Sequence, residues 1–203
     1  MDDLFEGRPT LAALREQARG CTACPLHEQA TQTVFGEGPD DARLVLVGEQ
    51  PGDQEDLQGR PFVGPAGQLL DWSLEKAGID RATTYITNAV KHFKWFPRGK
   101  RRIHSKPGTL EIKACRPWLD QELALIQPEV LVCLGATAAQ ALLGASIRVM
   151  RDRGRWLASD LAPHVMVTVH PSSLLRIEDD ALRKDSIRQF VRELRLIPEV
   201  LSS

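Results

Sequence analysis

The chain has 203 residues, of which 42% are hydrophobic and 26% charged, with a formal net charge of −1. That length suits one globular, soluble domain, 1–203, with a real core. A near-neutral total excludes a histone-like binder that is basic throughout, and no apolar run reaches membrane length, so no membrane partner is expected.

The opening MDDLFEGRPT is acidic and lacks an apolar signal core, which predicts a cytoplasmic protein. Residues 10–19, TLAALREQAR, read as a short amphipathic helix with Thr10 as N-cap, and Gly20 ends it. Cys21-Thr-Ala-Cys24-Pro25 follows, a compact turn able to present two thiolates to one metal centre. Two unrelated buried thiols are the plainer reading, and a thioredoxin-type redox pair would need a preceding strand that is not evident. The chain has four cysteines, and metal or redox chemistry suits an intracellular protein better than disulfides.

Arg43 to Val47, RLVLV, predicts a strand buried on both faces and ends at Gly48. The loop after it, Gly48-Glu49-Gln50-Pro51-Gly52-Asp53-Gln54-Glu55-Asp56, carries four acids and lacks the spacing of a nucleotide-binding glycine motif. Carboxylates such as Glu49 and Asp53 repel a phosphate but can act on a sugar or orient a nucleophile. GRPFVGPAG is a second tight turn in which Phe62 is either displayed or a core anchor. Leu69 to Ala77 reads as a helix stopped by Gly78, and Thr84 to Val90 as a second strand carrying Asn88 near its end.

Ala89 to Thr109 holds seven Lys and Arg, and no acid occurs from Arg81 to Leu110. A flexible basic segment with Phe93, Trp95 and Phe96 interleaved suits a phosphate backbone beside unstacked bases, with Lys94, Lys100, Arg101 and Arg102 as contacts. His104 sits among these cations, which favour the neutral ring and therefore a free lone pair. A solvated loop is the bland alternative.

Residues 109–127 read as helical with a break near Pro117, beside Cys115. Val130 to Leu134 is a third buried strand, ending at Gly135 before the helical ATAAQALL. Val165 to Val169 is a fourth, with His170-Pro171-Ser172-Ser173 at its end. Asp180 to Leu196 is a closing amphipathic helix. Strands alternating with helices predict a parallel sheet covered on both faces. The strand ends then bring Glu49, Gln50, Asn88, Gly135 and His170 to one cleft.

The motifs CTAC, GEQPGDQED, PFVGPAG, TNAVKHFK, KRRIH, ACRPWL, LGATAA and VHPSSLL, in that order over residues 20–176, resemble the uracil–DNA glycosylase superfamily. They are most similar to the iron–sulfur, family-four-like branch called UdgX. The resemblance implies a three-layer α/β/α sandwich with a four-stranded parallel sheet, acting on uracil-containing DNA, single-stranded or duplex, as a monomer. It implies that a flipped uracil stacks on Phe62 and is read by Asn88, with Gly48, Gly52 and Ser172 around it, while His170 stabilises charge on uracil O2. It further implies that His104 attacks C1′ of the deoxyribose to leave a stable covalent adduct. Glu49 would serve the histidine's proton, and Gln50 would stand where a water activator is otherwise found.

The resemblance also implies a [4Fe–4S] cluster on Cys21, Cys24 and Cys115. Cys133 is the obvious fourth ligand by chemistry. The family places a cysteine just after the second strand, where this chain has His92, so His92 is expected to ligate and Cys133 to be core. Zinc is the alternative metal.

Overall fold

A computed structural model describes residues 10–202. The opening decapeptide discussed above lies almost entirely outside them. No helix among the described residues is long and apolar enough to cross a membrane.

The sheet is built from five-residue apolar runs: β1 (Leu44–Gly48), β2 (Thr84–Asn88), β5 (Val130–Leu134) and β7 (His164–Thr168). These four are parallel, in the order β2-β1-β5-β7, and a two-residue antiparallel strand, β6 (Trp156–Leu157), extends the edge beside β7. The sheet therefore has five strands rather than four. A pair of residues cannot display a strand period, so the extra strand is invisible to pattern reading.

Alternate residues of each strand serve opposite faces. Val45, Val47, Leu131, Cys133, Val165 and Val167 pack against α1 (Leu11–Arg19), α4 (Thr109–Ile126) and α5 (Ala136–Leu143). Leu44, Leu46, Ile86, Val130, Val132 and Met166 pack against α3 (Pro65–Ala77), α7 (Pro171–Leu175), α8 (Asp180–Leu194) and α9 (Leu196–Leu201). Each such side chain contributes roughly 1.5–3 kcal/mol when removed from water, and the result is the expected three-layer sandwich. Thr10 caps α1 by accepting from the Ala13 N–H at 3.1 Å.

Four local expectations change. The acidic loop contains a helix, α2 (Asp53–Gln58), because Asp53, Glu55 and Asp56 stand in its first turn, where negative charge is favoured. The third helix begins at Pro65 rather than Leu69, since proline is well suited to a first helical position. Helix α4 runs through Pro117 without a break; its buried Cys115, Leu119, Leu123 and Ile126 hold it on the sheet despite the missing N–H. The closing helix stops at Leu194, and α9 follows.

The basic stretch is a β-hairpin rather than a flexible loop. β3 (Trp95–Arg98) and β4 (Arg101–His104) pair antiparallel, with Trp95 opposite His104 and Gly99 turning at φ 60°. The short helix α6 (Val149–Asp152) packs beside β7.

Candidate active site

Strand β1 is followed by elements on one face of the sheet and β5 by α5 on the other, so the loops after these neighbouring strands part and leave a crevice. A cavity of about 760 Å³ occupies this position, lined by Glu49, Gln50, Gly52, Phe62, Asn88, Gly135, His170 and Ser172, with His104 and Lys106 arriving from the hairpin side. The cleft inferred from the strand ends is therefore present.

Its floor is shaped by Phe62, Asn88 and Gly48. Phe62 has φ 55°, a conformation rare for a bulky residue, and it is buried rather than displayed. Helix α3 passes so close beneath that a Cβ at Gly67 would lie 1.7 Å from the Phe62 carbonyl oxygen. The ring faces the His170 ring with centroids 5.6 Å apart. A Cβ at Gly48 would lie 2.4 Å from Asn88 Oδ1 and 2.6 Å from Phe62 Cζ, so only glycine leaves room there. Asn88 Oδ1 is the one buried side-chain polar atom among the described residues without a hydrogen-bond partner. Such an atom is costly unless a ligand supplies a donor.

His170 caps α7. Its Nδ1 accepts from the Ser172 backbone N–H at 3.2 Å and lies 2.8 Å from Ser172 Oγ. A lone pair is thus required at Nδ1, which places the proton of the neutral ring on Nε2. Burial lowers the His170 pKa to about 4, with Arg176 and His104 adding in the same direction. At neutral pH it is an uncharged N–H donor.

His104, at the end of β4, places Nε2 3.3 Å from Glu49 Oε1. Its ring also faces Phe93 at 6.2 Å. Partial burial is the largest cause of its lowered pKa; Glu49 opposes, and Arg176 reinforces. The cation that favours the neutral ring is thus Arg176, which also lines the cavity, rather than the neighbouring hairpin arginines. Thr137 Oγ1, in the first turn of α5, donates to the other Glu49 oxygen, Oε2.

Several residues expected at the chemistry have other partners. Gln50 Nε2 donates to the carbonyls of Lys94 and Ser105 at 3.2 and 3.1 Å, while Oε1 accepts from the Lys94 N–H at 3.3 Å. Its amide clasps the root of the hairpin. Asp53 does not line the cavity; its carboxylate accepts from Arg102 Nε at 2.6 Å. Arg102 also donates to the buried Asp56 at 2.6 Å, and its guanidinium lies over Phe93 and Trp95. Lys94 pairs with Glu111 at 2.9 Å. Arg102 and Lys94 therefore anchor the hairpin, whereas Lys100 and Arg101 are exposed at its tip.

Glu55, Thr137 and Arg176 are among the cavity residues that the sequence reading did not assign to the site. Glu55 straps two loops, accepting from Gly52 N–H at 3.0 Å and Gly64 N–H at 2.8 Å. The spacing from Gly52 to Glu55 is that of a capping box and could have revealed it. Thr137 lies in an unremarkable helical run, and Arg176 is the residue just past the end of α7.

The cysteines divide. Cys24 and Cys115 share a small apolar cluster with Leu26, Val90, Ile112 and Trp118. Trp118 Nε1 donates to Cys21 Sγ at 3.2 Å, and the Lys91 N–H to Cys115 Sγ at 3.1 Å. Burial pushes the Cys115 thiol up to about 11, against the pull of Lys91, and Cys21 and Cys24 act on it electrostatically. His92 Nε2 lies 2.9 Å from Thr33 Oγ1, which donates its own proton to the Ala18 carbonyl at 2.9 Å. The ring proton is therefore on Nε2, leaving a lone pair on Nδ1. Cys133 is fully buried in β5, and its thiol is pushed up to about 12.

No group of three or more His, Cys, Asp or Glu that could hold a metal ion occurs among the described residues. The donor chemistry nonetheless fits a thiolate-held cluster: two sulfurs already accept N–H bonds, and a neutral buried imidazole keeps a lone pair and a second-sphere partner.

The family described as the uracil DNA glycosylase superfamily matches residues 35–195, and the chain belongs to that superfamily. Within it, the chain is 42% identical over 185 residues to a Type-4 uracil-DNA glycosylase of Thermotoga maritima, covering 89% of this chain and 91% of that one. It is 36% identical over 173 residues to a Type-4 uracil-DNA glycosylase of Pyrobaculum aerophilum, covering 82% and 85%. A Type-5 uracil-DNA glycosylase of Thermus thermophilus is 32% identical over 151 residues, covering 66% and 65%.

Proposed function

We propose that this chain excises uracil from DNA and that His104 then captures the exposed sugar carbon. The first half follows the superfamily and the activity for which its Type-4 relatives are named. The second half is carried by one observation: His104 stands beside Glu49 over the cavity, while the amide of Gln50 is engaged with the backbone at the root of the hairpin.

The uracil enters the cavity flipped from the DNA stack and lies on Phe62. Asn88 Oδ1 accepts from uracil N3–H, which supplies the missing partner of that buried atom. The N-glycosidic bond breaks heterolytically and its electron pair leaves with the base. His170 Nε2–H donates to uracil O2 as negative charge develops there, and a donor aimed at developing charge contributes on the order of 10²–10³ in rate. The electron-poor C1′ then accepts a lone pair from the neutral His104 ring. A C–N bond forms, and Glu49 takes the ring proton for return to the departing base. Each protein molecule acts once, because the imidazole is retained at the sugar and no activated water displaces it.

Lys100 and Arg101 at the hairpin tip contact phosphates of the DNA. A [4Fe–4S] cluster would be held by Cys21, Cys24, Cys115 and His92, with Cys133 in the core. When bound, it would supply no chemistry at the sugar; it would tie the N-terminal segment to the residues after β2.

The test is a uracil-containing oligonucleotide mixed with protein and resolved on a denaturing gel. A slow band resistant to denaturant is expected. An alkali-cleavable abasic product without that band indicates a turnover glycosylase, and neither product indicates a non-catalytic DNA binder.

A further inference from the structure

We infer that Thr137 is the positioning residue that commits Glu49 to His104. The inference rests on the capture reading above. A carboxylate at the end of β1 has two oxygens and free rotation about its last bond. Here the two oxygens have different partners: Thr137 Oγ1 donates to Oε2, and Oε1 faces His104 Nε2 at 3.3 Å. Among the described contacts, Thr137 is the only hydroxyl that Glu49 meets.

The location explains why a tether is needed. Glu49 follows β1 and Thr137 follows β5, the neighbouring strands between which the crevice opens. The bond between them spans the crevice, joining residues 88 apart in sequence. Thr137 is itself fixed: it is buried in the first turn of α5, and Gly135 enters that helix at φ 90°, where a Cβ would lie 3.0 Å from the His170 Cβ. The donor of the tether therefore sits on a rigid element.

Without the tether, Glu49 has a second course open to it. A carboxylate free to turn toward the cavity can accept a proton from water, which then competes with His104 for C1′. Thr137 thus sets the partition between covalent adduct and free abasic product.

The experiment measures, per uracil released, the ratio of adduct to abasic product for wild type, Thr137→Val, Thr137→Ala and Thr137→Ser. Taking the ratio per uracil released removes the effect of a partly unfolded preparation. Loss of a hydrogen bond to a charged group predicts that Thr137→Val and Thr137→Ala lower the ratio about tenfold or more. Thr137→Ser, which keeps the hydroxyl, is expected to restore it. An unchanged ratio in Val and Ala, or a Ser variant that fails as they do, overturns the inference. Wild type that forms no adduct overturns instead the reading on which it rests.

Discussion

Replacing Asn88 by leucine separates stability from activity at this site. Leucine matches asparagine in size and branching but carries no polar atom. Asn88 is 2% exposed, and its Oδ1 has no partner in the free protein. A buried acceptor left unsatisfied costs about 1–3 kcal/mol, so Asn88→Leu is expected to stabilise the fold by about 1 kcal/mol. In a chain of this length that raises Tm by roughly 2–4 °C. The same acceptor is satisfied only when uracil N3–H arrives, and its loss removes about 1–3 kcal/mol from the bound state. At 1.36 kcal/mol per factor of ten, uracil release under single-turnover conditions slows roughly fivefold to 150-fold. Thermal unfolding and a timed release assay on the same preparation read both quantities. A lower Tm with undiminished release would refute the reasoning.

Acid unfolding probes His170. Its pKa is about 4 in the fold and about 6.5 in the unfolded chain, so between these values the unfolded chain binds more protons. Stability is therefore lost as pH falls from about 6.5 to 4, by at most about 3 kcal/mol from this group. His170→Asn is expected to flatten that decline in urea titrations, and an unaltered decline contradicts the assignment. Anaerobically purified protein is expected to be brown with about four irons per chain, and to stay so in Cys133→Ala but not in Cys115→Ala. Colourless protein with stoichiometric zinc refutes the cluster, and iron lost with Cys133 but kept in His92→Ala reverses the ligand choice. DNA affinity is expected to fall with salt, with a log–log slope of about −0.9 per phosphate on duplex, and Lys100→Gln with Arg101→Gln flattens it. Arg102→Gln instead lowers Tm, because it leaves the buried Asp56 without its ion pair.

The parts of the fold legible in the sequence are those governed by local pattern. The buried strands announce themselves as apolar runs, and Gly20 and Gly78 end their helices where expected. Strand ends then converge on one cleft for topological reasons alone, which is why the sequence suffices to bring Glu49, Asn88 and His170 together. What was missed depends on partners distant in the chain. The segment DQEDLQ reads as a polar loop, yet its acids hold the hairpin through Arg102, 46 residues beyond Asp56. The strands of that hairpin are mostly exposed and show no buried face, although Gly99-Lys100 between them is a two-residue turn. Gln50 stands where a water activator is otherwise found, and the grip of its amide on the Lys94 and Ser105 backbone depends on partners 44 and 55 residues away. Thr137 sits in the run ATAAQALL, where a small residue needs no explanation until the fold sets it against Glu49.

The central claim is the bond between His104 and C1′. Intact-protein mass spectrometry after incubation with a uracil-containing oligonucleotide tests it directly. Wild type is expected to gain the mass of the oligonucleotide less uracil, with the modified peptide containing His104. His104→Ala is expected to lose that species while still releasing uracil, since departure of the base rests on Asn88, His170 and Phe62. A full-strength adduct in His104→Ala, or a modified peptide that maps elsewhere, would contradict the mechanism.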